Sequence, residues 1–502
     1  MPTLSPTHPP ADTPSDAARA DPPGRAASDR LPSALGWWLE DAPAWLASAL
    51  LHLALLILVA LFAYGAASDP PISLTAGIAE DAGEDDLDEP LDLAAAELDL
   101  DTPELAADAP PLPLDPIPVP EVTPSEAVGP VAVPLPPSVT PGAALSGRDP
   151  ASQDALLKQL GGTAATQSAV EEGLRWLARR QLPDGGWSLI GPYADGGVVE
   201  NREAATAMAL VAFQGAGKLP SPRREDFGRN VLKGWRYLLA QQQPDGSFFR
   251  HGASNHRFYT DALCTIAVCE LLAMTGDQQY RQPATDAINH LIRSQGKAGG
   301  WKYNAASRSD LSVTGWVLMA LKSGRLAGIE VPSPVFTRIE EFLDEVGRSD
   351  TPAGSPDDSR YVYEPSSQFI REAVPTMTAT GLLCREYLGW PGEKPEIDKG
   401  LDFIAYEHPP EWRRGKVDVY YWYYATQACL HAGGRQWPVW NRVMRELLPK
   451  HQEQQGPERG SWDPSLDAWG TSGGRLYMTA LSIYTLEVYY RHLPLYQQRA
   501  VR

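Results

Sequence analysis

The sequence predicts an all-α protein whose C-terminal two-thirds closes into a toroid of six helical hairpins, with one transmembrane helix and an acidic, proline-rich stalk in front of it. Three observations carry this. A helix-plus-turn unit recurs six times after residue 151, each copy alternates with a second and more apolar helix, and no strand-like alternation competes.

The front of the chain reads in three parts. Residues 1–43 form an N-terminal tail. From Ala44 to Tyr64 the chain carries no Asp, Glu, Lys or Arg, and at 1.5 Å per residue that run crosses a hydrocarbon layer about 30 Å thick. Trp37, Trp38 and Trp45 at one edge and Tyr64 at the other sit where amphipathic rings prefer the membrane interface. Arg19, Arg25 and Arg30 precede the run and no Lys or Arg follows it before Arg148, so the charge bias predicts a cytoplasmic N-terminus and an extracytoplasmic C-terminal domain anchored in the cell inner membrane. Residues 65–150 then mix EDAGEDDLDEP with proline runs such as PPLPLDPIPVPEVTP, a composition that reads as a disordered spacer.

The net charge of −20 is concentrated in that spacer. Residues 69–147 hold 17 acidic and no basic residues, whereas Arg148 to Arg502 holds 40 of each. A balanced domain without a basic face excludes nucleic acid as a partner. Cys264, Cys269, Cys384 and Cys429 lie in apolar helical runs without CxxC spacing, which predicts buried thiols and neither a zinc ribbon nor a disulfide framework.

Residues 151–502 supply the repeat. Amphipathic helices run into Gln- and Gly-bearing turns that end at Trp187, Phe248, Trp301 and Trp462. Of two degenerate copies, one begins at Val335 and the other ends at Trp412. Between them lie small-residue-rich helices starting near Asn201, Arg257, Ser309, Glu372, Asp418 and Gly473, apolar on most faces as enclosed helices must be. Six of each predict an inner ring sheathed by an outer one.

The Q-x-x-x-G-G-W element from Gln181 to Trp187 and the Q-x-P-D-G-S-F element ending at Phe248 resemble the QW repeats of squalene–hopene cyclases. The resemblance covers roughly residues 165–490 and implies a terpenoid-cyclase-type α/α toroid, also the fold of protein prenyltransferase β subunits. It implies that the Gln amides cap neighbouring helices while the aromatics pack over them. The closest likeness is to membrane-anchored bacterial proteins with prenyltransferase and squalene oxidase repeats.

The chemistry that the resemblance implies is only partly present. The D-x-D-D acid motif of squalene–hopene cyclases is missing. The nearest echo of the Asp-Cys-Thr-Ala element of oxidosqualene cyclases is Ser309-Asp310-Leu311-Ser312, followed by Asp261 in TDALCT, so Asp310 and Asp261 are the candidate catalytic acids. Asp261, Cys264 and His431 match the zinc set of prenyltransferases in residue type and not in spacing, and Asp357-Asp358-Ser359 lacks the third acid of a magnesium motif. Neither a metal nor another cofactor is expected.

In an alternating toroid all inner helices start at one rim, which converges Arg202 and Glu203, Arg257 and Tyr259, Arg371 and Glu372, Asp418 and Tyr420, and Arg475 and Tyr477 as candidate ligand-binding residues. Acids and polar side chains there also cap helices, but arginines oppose the dipole, which points to a binding mouth. Of the run Tyr420 to Tyr424, helical spacing turns either Tyr420 and Tyr424, or Tyr421 and a neighbour one turn on, into the ring. The leading expectation is a hydrophobic or envelope-derived ligand, such as an isoprenoid lipid, bound without cyclase chemistry. The rivals are a divergent terpenoid cyclase using Asp310 or Asp261, a carbohydrate-active enzyme using two rim carboxylates, and an envelope scaffold. The oligomeric state is left open.

Overall fold

The structure, a computed structural model, describes residues 143–223, 225–303, 308–347, 359–365 and 374–491. The chain divides into two units, Met1–Glu97, outside the described residues, and Leu98–Arg502, which contains the helical domain. The expected membrane span at 44–64 and most of the expected stalk lie outside the described residues too. Among the described residues, one run, Ser254–Thr275, is long and apolar enough to cross a membrane, and it is enclosed by other helices.

After a short helix, α1 (Pro150–Gln159), outer and inner helices alternate. The outer helices are α2 (Ala164–Arg180), α4 (Gly228–Leu239), α6 (Arg281–Arg293), α8 (Ser333–Val346), α10 (Pro395–Asp402) and α12 (Gln436–Lys450). The inner helices are α3 (Arg202–Gly215), α5 (Arg257–Thr275), α7 (Leu311–Leu326), α9 (Pro375–Leu388), α11 (Val419–Ala432) and α13 (Gly470–Leu486). Each inner helix packs on the next, and α13 returns to pack on α3, so the ring is closed. A last short helix, α14 (Val488–Arg491), packs on α1.

Burial follows the two periodicities in the sequence. On α4 only Val231, Trp235 and Leu238 of the large apolar residues are buried, at i, i+4 and i+7, the single stripe of a surface helix. On α11 every residue from Val419 to His431 is buried, because neighbours enclose it on all sides. Each fully buried Leu, Val or Phe stabilises the ring by about 1.5–3 kcal/mol before chain entropy is set against it.

The repeat turns tie the outer helices together. Gln181 Nε2 donates to its own turn at the Gly185 carbonyl (2.7 Å) and to Asn230 (2.8 Å) in the first turn of the following outer helix. Gln242 bonds Pro283 and Gln295 bonds Val335 in the same way, at 2.9 and 3.0 Å. The glutamines therefore brace the starts of the next outer helices rather than cap helix ends. The aromatics Trp187, Phe248, Trp301 and Trp462 are buried, whereas Trp412 is only half-buried; Trp187, Trp301 and Trp462 donate Nε1–H to carbonyls of Leu177, Leu291 and Leu448. In the degenerate fourth repeat, Tyr361 takes the place of the tryptophan, fully buried, with its amide on Thr378 Oγ1 (3.3 Å). The longer, Pro- and Asp-rich turn separates it from α8 by more residues than in the other copies, which hides the aromatic from a spacing search.

Candidate functional site

The inner-helix starts meet at one rim. Asn201 Nδ2 lies 2.8 Å from Thr260 Oγ1, and Thr376 Oγ1 lies 3.0 Å from Asp418 Oδ2. Tyr259 OH, Ser312 Oγ and Tyr420 OH form a continuous hydroxyl chain with both steps at 2.8 Å, linking α5, α7 and α11 across the ring. Asn201, Asp310 and Asp418 are N-caps, each accepting a first-turn amide, so the capping expectation holds for these three.

Asp310 differs from the other two. Its side chain is fully buried; Oδ1 accepts the Val313 amide at 2.8 Å, and Oδ2 has no hydrogen-bond partner. Burial pushes its carboxyl up to about 7, against the opposing pull of the Val313 amide, the Tyr363 hydroxyl and Lys302. Tyr363 in turn shares a 2.6 Å hydroxyl contact with Tyr303, and Lys302 Nζ lies 2.9 Å from Glu364 Oε2. A carboxyl that titrates near neutrality, with no partner within hydrogen-bond distance of Oδ2 but the Tyr363 hydroxyl acting on it, therefore sits among Tyr259, Tyr303, Tyr363 and Tyr420, all four of which feel its charge.

A second acid, Asp467, stands beside Asp418. Its Oδ2 accepts the Val419 amide (2.8 Å) and its Oδ1 the Trp469 amide (2.9 Å). Burial first, and the charge of Asp418 second, raise Asp467 to about 7. Tyr477, whose hydroxyl is buried without a partner, lies within reach of both charges.

No family model matches the chain. Among curated proteins it is similar to the squalene–hopene cyclase of Bradyrhizobium diazoefficiens, 27% identical over 207 residues, which are 36% of this chain and 29% of that one. It is similar also to the drimenyl diphosphate synthase of Streptomyces showdoensis, 28% identical over 161 residues, 32% of this chain and 27% of that one. The chain thus spans less than a third of the length of either relative. A type II terpene cyclase from Scytonema matches at a TM-score of 0.43 with 11% identity, over 65% of this chain and 98% of that one. The chain has a squalene-cyclase-like α/α toroid fold.

Within the squalene-cyclase-like toroid, the sequence-derived site residues separate. Asp261 turns away from Asp310: its Oδ1 accepts the Ser247 hydroxyl (2.9 Å) and the Phe248 amide (2.7 Å), and its Oδ2 lies 3.4 Å from His290 Nε2. It occupies the place of Thr206, Thr314 and Thr479, which accept the amides of Trp187, Trp301 and Trp462 in their repeats. The arginines are likewise held. Arg202 pairs with Asp184 (2.7 Å) and covers the Tyr237 ring, and Arg257 lies exposed over Phe249. Arg475 is buried and bonds Asp195 (2.5 Å), the Ala194 carbonyl (3.1 Å) and Ser461 (3.1 Å), stapling the last repeat to the first. Glu203 is buried with Oε1 3.5 Å from His251 and Oε2 without a partner. Arg371 and Glu372 lie outside the described residues.

Around the toroid's centre, Tyr420, Tyr423 and Tyr424 all pack against Trp316, whereas Tyr421 and Trp422 face the outer Trp440 and Trp412. Tyr423 joins the inward group because i+3 as well as i+4 shares a helix face. The four cysteines are free and buried. Cys264 approaches the Glu203 carbonyl while His431 lies against Tyr387 near the opposite end, and among the described residues no three His, Cys, Asp or Glu could hold a metal ion. Tyr303, Tyr363, Lys302 and Asp467 escaped the sequence reading. Ser312, in the first turn of the helix that Asp310 caps, was read only as part of the Ser309–Ser312 element.

Proposed function

We propose that the toroid receives an isoprenoid chain at its inner-helix rim and that Asp310 protonates it. The observation that carries this reading is the buried Asp310 carboxyl inside a tyrosine cluster, pushed up to about 7 by burial and with no partner within hydrogen-bond distance of Oδ2. In the proposed step the Asp310 O–H bond breaks as a C–H bond forms on an alkene carbon, leaving a carboxylate and a carbocation. Tyrosine faces stabilise such a cation, and general acid catalysis of this kind is worth about a hundred- to ten-thousandfold. The likeness to proteins named squalene–hopene cyclase and drimenyl diphosphate synthase supports the substrate class. The arrangement moves the weight from binding without chemistry, the first expectation from the sequence, to the rival in which Asp310 acts.

The same proposal places the domain outside the cell inner membrane, tethered by residues 44–64 with residues 1–43 in the cytoplasm, on the charge bias of the sequence. The test is full-length protein incubated in deuterated water with squalene, farnesyl diphosphate or geranylgeraniol. Proton-initiated turnover adds deuterium to the product, and Asp310→Asn abolishes it. An unlabelled substrate that is bound and returned unchanged by the wild-type protein supports the binding-only reading instead.

A further inference from the structure

The end of the ring opposite the rim is closed by two arginines from outside the six repeats, paired with acids of the ring. Arg148, the first basic residue after Arg30, buries its whole side chain there. Its Nη1 lies 2.8 Å from Glu270 Oε2 on α5, and its Nε donates to the Arg491 carbonyl at 2.8 Å. Arg491 bonds Glu487 Oε2 at 2.8 Å and stands 3.6 Å from Glu270, with its guanidinium over the Tyr484 ring. All four ionisable side chains are 2% exposed or less. The backbone follows the same path: a Cβ on Gly147 would crowd the Tyr490 carbonyl, and Gln153 Nε2 donates to both Arg148 and Ala216 carbonyls.

Stability alone is a poor reason for this cluster, because well-packed apolar side chains commonly match or exceed a buried ion network. What the charges add is directionality, since a guanidinium with two fixed acceptors seats in one register, and loss of one partner leaves the others buried and uncompensated. We propose that Arg148 is a strap: the residues leading out of the acidic segment hold the far end of the ring shut, and releasing Arg148 opens that end while the rim half stays folded. The proposal is independent of the chemistry at the rim.

Two native thiols report on the two halves. Cys269 adjoins Glu270, and Cys264 contacts the Glu203 carbonyl near the rim, both fully buried. In full-length protein, Arg148→Met should speed alkylation of Cys269, resolved by peptide mass spectrometry, by about tenfold, the effect of a fall of about 1.4 kcal/mol in local opening energy, and leave Cys264 unchanged. Equal acceleration of both thiols, tracking global unfolding, overturns the strap, as does no change at either. If Arg148→Met does not fold, Arg148→Lys replaces it. Lysine keeps the charge but loses the fork that reaches Glu270 and the Arg491 carbonyl together, and the ratio of the two labelling rates decides in the same way.

Discussion

Gln452 and Ala169 stand 283 residues apart and share a 2.8 Å hydrogen bond that closes the outer ring. The same amide holds the Gly460 carbonyl of its own turn at 2.9 Å, as the glutamines of earlier repeats hold theirs. Replacing Gln452 with alanine leaves buried carbonyls short of a donor at the seam. The expected loss is about 1–3 kcal/mol in urea unfolding, against a few tenths for Gln454→Ala, whose amide bonds one nearby carbonyl. Equal midpoints for the two variants would contradict the seam.

Gly460 offers a second test of closure. Its φ is 93°, and a Cβ there would overlap the Glu172 carbonyl on the first outer helix. Gly456 has φ 71° with nothing within 4 Å of a Cβ. Gly456→Ala should therefore cost only the left-handed strain of roughly 1–2 kcal/mol, and Gly460→Ala clearly more, by thermal or denaturant unfolding.

The arginines separate by burial. Arg475 is 4% exposed with three acceptors, but its acid partner Asp195 is half exposed, so Arg475→Met should destabilise by about 1–3 kcal/mol, mainly through the Ala194 carbonyl and Ser461 left without a donor. Arg202 and Asp184 are 27% and 48% exposed, and Arg202→Met should cost no more than about 1 kcal/mol. Calorimetry of the two variants, set beside retention of an anionic ligand, decides whether these residues are staples or part of a binding mouth. A staple changes stability without changing retention of an anionic ligand.

The pH dependence of Asp310 has a definite sign. Its carboxyl is raised from 3.8 to about 7 in the folded protein, so the folded state holds a proton that the unfolded chain has released. Stability falls as pH climbs through that interval, and the loss is complete above about pH 7. Asp310→Asn keeps a competent helix cap and removes the titration. It should be more stable than wild type at pH 8 by up to roughly 3–4 kcal/mol, and no more stable at pH 4. Asp467 and Glu487, raised to about 7 and about 8, leave a residual slope in the variant.

The ring was legible because its signal is repetitive: four Gln-to-aromatic turns and six enclosed helices leave few alternatives. The site was less so. Helix starts attract acids for capping whether or not they bind anything, and Asp261, Asp310 and Asp418 look alike in sequence. Only packing shows that Asp261 Oδ1 serves its turn, as a threonine does elsewhere, with Oδ2 beside His290, while Asp310 stands among the tyrosines of the rim. Tyr363 and Asp467 come from turns between helices, where no periodicity marks which residue folds inward.

The protonation state of Asp310 is the central claim, and infrared difference spectroscopy of wild type against Asp310→Asn measures it directly. At pH 6 the difference should contain the carbonyl band of one neutral carboxylic acid, and that band should vanish in favour of carboxylate as the pH passes through about 7. A carboxylate signal from Asp310 already present in full at pH 6 would contradict the account.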